Sequence, residues 1–140
     1  MIQRIQSIWL LLASICTVLT VKLSFYTGNK LDAITKTKAF VQLNAQSDMV
    51  LTVLVGFILA ACLIAIFLFK DRKRQLLVTG ITALVAIINI IIYISETRSF
   101  VEGQYSITST ITFLVPLFLL LAARGIWKDE QLVKSADRLR

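Results

Sequence analysis

Long apolar runs and short polar breaks alternate along this chain. The apolar runs cover about Ile5 to Val21, Met49 to Phe69, Leu76 to Ser95 and Ile107 to Trp127. The first reaches Tyr26 if Lys22 extends its ammonium outward along its apolar stem. The breaks are Lys22 to Asp48, Lys70 to Gln75 and Glu96 to Ser106. A bilayer core about 30 Å thick is crossed by roughly 20 residues of helix. With no water in that core, each run must satisfy its own backbone as a helix. The pattern predicts an all-α protein: one membrane domain over 1–140, a four-helix transmembrane bundle with spans near 5–26, 49–69, 76–95 and 107–127.

Small and polar residues inside the runs indicate which faces pack. Helices in lipid associate through small residues and a few polar contacts. Span two carries Thr52, Gly56 and Ala60 one turn apart, a small-xxx-small pattern. Span three carries Thr82, Ala86, Asn89 and Tyr93 on one stripe with Glu96 next, span four Thr108 and Thr112, and span one Gln3, Ser7, Ser14 and Thr17. Asn89 is the carboxamide set deepest in a span, so it should point inward, first as an interhelical clasp and alternatively as a polar station on a substrate path. Pro116 removes one helical hydrogen bond and frees the carbonyl of Thr112, which predicts a bend.

Charge sets the expected orientation. Arg4, Lys70, Arg72, Lys73, Arg74, Arg124, Lys128, Lys134, Arg138 and Arg140 fall on one side of such a bundle, and Lys22, Lys30, Lys36, Lys38 and Arg98 on the other. Short basic loops resist translocation, so both termini are expected in the cytoplasm. Trp9 and Trp127 then sit near the inner face; Tyr26, Tyr93 and Tyr105 sit near the outer one. The outer segment 22–48 can hold a short hairpin, with Gly28-Asn29 as a tight turn and strand character over Thr37 to Leu43. The tail 128–140 reads as an amphipathic helical extension, with Leu132, Ala136 and Leu139 on one stripe. Its basic residues, with those of the 70–74 loop, suit anionic lipid headgroups or a partner subunit.

Composition narrows the chemistry. Hydrophobic residues make up 57% and charged ones 16% of the 140 residues, and the mean hydropathy is +0.81. Average soluble domains are about 25% charged. The net charge of +7 is spread over loops and ends rather than one face, which argues against nucleic acid. The chain has no histidine, which excludes His-based hydrolysis, haem and zinc chemistry. No phosphate loop, acidic dyad or nucleophile elbow appears, so no cofactor, metal or enzymatic activity is expected. Cys16 and Cys62 read as small packing residues. Span one lacks a small-x-small cleavage site. Leu59-Ala60-Ala61-Cys62 spells a lipobox only inside an apolar span.

The opening Met1-Ile2-Gln3-Arg4-Ile5-Gln6-Ser7-Ile8-Trp9-Leu10-Leu11-Leu12-Ala13 and the closing Ala122-Ala123-Arg124-Gly125-Ile126-Trp127-Lys128-Asp129-Glu130 and Asp137-Arg138-Leu139-Arg140 resemble a family of small bacterial integral-membrane proteins. Its members have about this length and four expected spans, and it is classified only as a domain of unknown function. The resemblance implies a Gram-negative inner membrane and brings no catalytic or ligand residues. The expectation is a non-enzymatic inner-membrane accessory or scaffold subunit beside larger machinery, such as a translocation or insertion complex. The alternative is a small transporter or channel, alone or as a homo-oligomer, with Asn89, Thr82 and Thr112 lining a path.

Overall fold

The computed structural model describes residues 2–31 and 38–138. In chain order the elements are α1 (Ile2–Lys22), β1 (Tyr26–Leu31), β2 (Lys38–Leu43), α2 (Met49–Phe67), α3 (Arg72–Thr97), β3 (Phe100–Tyr105) and α4 (Ser109–Arg138). Four of the helices are long and apolar enough to cross a membrane. They pack α1 on α2, α2 on α3, α3 on α4 and α4 back on α1, an up-and-down bundle closed as a ring.

The chain is not all-α. The α1–α2 and α3–α4 connections meet at one end of the bundle in an antiparallel sheet of order β2-β1-β3. Gly28 and Asn29, expected in a turn, lie mid-strand in β1, opposite Val41 and Phe40 of β2 and Gly103 and Glu102 of β3. Close approach requires the glycines. A Cβ on Gly28 would collide with the carbonyl oxygen of Glu102 and lie 2.7 Å from the Cα of Gly103. The reversal between β1 and β2 falls on residues 32–37, outside the described residues, as does Thr37 of the expected strand.

Two apolar clusters hold the molecule together. Leu10, Ala13, Ile58, Cys62, Ala65, Ala83, Ala86, Val115, Leu119 and Ala122 fill the bundle, with Trp9 stacked on Phe118 at 5.7 Å between centroids. Phe25, Leu43, Leu51 and Tyr93 join sheet to bundle, with Phe25 stacked on Tyr93 at 4.6 Å. Backbone bonds lock the same junction: Phe25 N donates to Leu43 O at 2.7 Å and Ser106 N to Phe25 O at 3.1 Å. The opposite surface of each helix is apolar and exposed. On α3 it runs Leu77, Ile81, Leu84, Ile88 and Ile91, spaced by three or four residues as one helical face requires. In water this would be an aggregation surface; against lipid tails it costs nothing.

Candidate functional site

Among the described residues, most buried polar groups lie mid-bundle and at the end away from the sheet. Along α3 the inward stripe is Gln75, Thr79, Thr82, Ala86, Asn89 and Tyr93. Its hydroxyls turn back on their own helix, Thr79 donating to Gln75 O at 2.8 Å and Thr82 to Val78 O at 2.7 Å. On α1, Thr17 donates to Ala13 O at 2.8 Å and Thr20 to Thr17 O at 2.7 Å. Such back-bonding satisfies a hydroxyl without a neighbour. Asn89 and Tyr93 cannot use it: Asn89 Oδ1 and Tyr93 Oη are buried without a hydrogen-bond partner.

At the level of Asn89 all four helices border a small void of about 10 Å³. It is lined by Thr17 and Thr20 of α1, Val55 and Ile58 of α2, Ala86 and Asn89 of α3, and Thr112 and Val115 of α4. Pro116 is buried one turn beyond Thr112, and α4 continues through it to Arg138. A space of this size takes one water molecule. It is far below the roughly 300 Å³ at which small-molecule pockets begin.

The second site is the end away from the sheet. Asp129 of α4, 4% exposed, accepts from Gln6 Nε2 of α1, while Arg72 of α3 donates to the Asp129 carbonyl at 2.9 Å. Gln75 Nε2 donates to Ala65 O of α2 at 2.9 Å. The four helices are thus tied at this end of the bundle by carboxamide, carboxylate and guanidinium. Beside the tie runs an open groove of about 560 Å³ lined by Gly125, Lys128, Asp129, Gln131, Leu132 and Ser135. Lys70, Lys73, Arg74, Arg124 and Lys128 are exposed around this end, with Arg74 3.8 Å from Asp71. Arg140 lies outside the described residues, and so do the side chains of Lys134 and Arg138.

A family described as Domain of unknown function (DUF4293) matches residues 2–139. The chain belongs to that family. No curated protein and no solved structure matches it.

In this DUF4293 chain Ala86, Asn89 and Thr112 line one void, and Thr82 and Pro116 are buried elsewhere along the same helices. Gly56 and Ala60 are not: both face outward, and nothing lies within 4 Å of a Cβ built on Gly56. The inward face of α2 is instead Leu51, Val55, Ile58, Ala61, Cys62 and Ala65. A span that is apolar all round has no polar side to orient it, so spacing alone left its packing face open. Cys16 and Cys62 are free thiols, and among the described residues no group of three His, Cys, Asp or Glu gathers.

Gln6, Gln75 and Asp129 were not singled out from the sequence. A signal existed for the glutamines, since a carboxamide at the edge of an apolar run is a natural end-of-bundle tie. Asp129 had none, because Lys128-Asp129-Glu130 reads as a solvated charge run.

Proposed function

We propose that the chain is a non-enzymatic accessory or scaffold subunit of the bacterial inner membrane, docked beside a larger complex such as translocation or insertion machinery. The observation that carries this reading is the sheet end. β1 is central, so among the described residues β2 and β3 each present one unpaired main-chain edge. Phe40 on β2 is 68% exposed, and Val101 and Tyr105 on β3 are exposed as well. An open strand edge with apolar side chains is a template for a further strand. The transporter alternative calls for a continuous polar path, whereas the void at Asn89 holds about 10 Å³.

In this reading the sheet lies on the outer face and both termini lie in the cytoplasm. Exposed Lys70, Lys73, Arg74, Arg124 and Lys128 rim the inner face, each attracting anionic headgroups by about 1 kcal/mol. A photo-reactive residue at Phe40 or Val101, followed by purification of a tagged chain in mild detergent and mass spectrometry, tests the docking. A defined membrane-protein adduct from those positions, and none from lipid-facing Ile88, is expected. Recovery of the chain alone with no sheet-end adduct overturns the proposal. An export-activated reporter fused after Arg140 should stay silent.

A further inference from the structure

We propose that the bundle holds one internal water molecule at the level of Asn89, in a site to which all four helices contribute. Asn89 is 4% exposed, and its Oδ1 has no hydrogen-bond partner among the described residues. A buried acceptor left unmet bears the full cost of its lost hydration. The void it borders, about 10 Å³, is about the volume of one water-sized probe. Polar groups line it from three helices: Thr17 and Thr20, Asn89, and Thr112.

The balance of donors and acceptors selects the occupant. Thr17 and Thr20 spend their protons on Ala13 O and Thr17 O, so each has only lone pairs left to offer. Asn89 Oδ1 only accepts. Pro116 has no N–H to return to the Thr112 carbonyl one turn earlier. Asn89 Nδ2 and the Thr112 hydroxyl can donate, so the site offers both donors and acceptors, and an anion would find no cationic side chain among the lining residues. A bare cation would sit deep in an apolar bundle with no carboxylate among the lining residues, an expensive placement. Water supplies two donors, carries no charge and fits the volume. Bridging Asn89 to the α1 threonines and Thr112, it would pin α1, α3 and α4 at one height, a tie independent of whether the chain docks to anything.

The test is a crystal structure of the full chain in a lipid phase, at a resolution that shows ordered water, together with thermal unfolding in nanodiscs. A single density peak is expected roughly 2.6–3.2 Å from Asn89 Oδ1 and from at least one threonine hydroxyl. It should vanish in Asn89→Leu, whose side chain takes over the space. The unfolding midpoint of the wild-type chain should not move when sodium chloride is replaced by choline chloride. An empty void, or Asn89 Oδ1 bonded directly to a threonine of another helix, overturns the proposal. A sodium-dependent rise in the midpoint also overturns it, because the site would then be a cation's.

Discussion

Gly28 and Gly103 face each other across β1 and β3, and the sheet depends on their lack of side chains. A Cβ on Gly103 would lie 2.6 Å from the Thr27 carbonyl oxygen and from Cε1 of Tyr26. Gly28→Ala is therefore expected to destabilise the sheet by roughly 1–3 kcal/mol, the usual cost of overpacking. Hydrogen exchange should show it as lost protection of the β1 and β3 amides. Gly56→Ala is the control: it meets open space and removes a helix-interior glycine, so the midpoint should stay level or rise, by up to about 1 kcal/mol. At this scale the sequence was legible for Asn89, whose carboxamide in an apolar run has nowhere to go but inward. It misled at Gly28-Asn29, because a glycine needed for close approach looks the same as one needed for a turn.

Among the elements, the helices were legible and the sheet was half so. Spans of apolar residues dictate helix regardless of what they pack against, and all four appear, although α1 ends at Lys22 and Tyr26, expected at the end of span one, begins β1. β3 was missed. Its residues, Phe-Val-Glu-Gly-Gln-Tyr, carry a strand-weakening glycine and no clean alternation, and their partner β1 comes from the other helical connection. Lys38 of β2 and Glu102 of β3 meet across β1 at 2.9 Å. Hydrogen bonding to Lys38 and its charge, with help from Asn29, hold the Glu102 carboxyl below its ordinary range. A carboxyl depressed in the folded state contributes stability above its unfolded pKa and loses it as pH falls through the folded value. The expected contribution is small because the pair is exposed. Carboxyl NMR should find Glu102 titrating below the usual glutamate value of about 4.3, and Lys38→Met should return it upward.

As a whole the molecule is apolar outside and carries its buried polar groups within, which matches lipid rather than water as solvent. Leu84 on the outer face of α3 is 63% exposed. Leu84→Arg is expected to impair insertion by about 2.5–3.5 kcal/mol near mid-span, seen as less chain in the carbonate-resistant membrane fraction, whereas Leu84→Phe should insert normally. Number and approximate position of the helices were settled by the sequence alone, because the demand that a backbone bond to itself in hydrocarbon is local and needs no partner. Which face of α2 turns inward, that β3 closes a sheet with β1, and that Gln6, Arg72 and Asp129 converge were decided only by the tertiary structure. Those features depend on groups far apart in the chain reaching the same place, and a sequence of near-uniform hydrophobicity leaves such meetings open until the helices have packed.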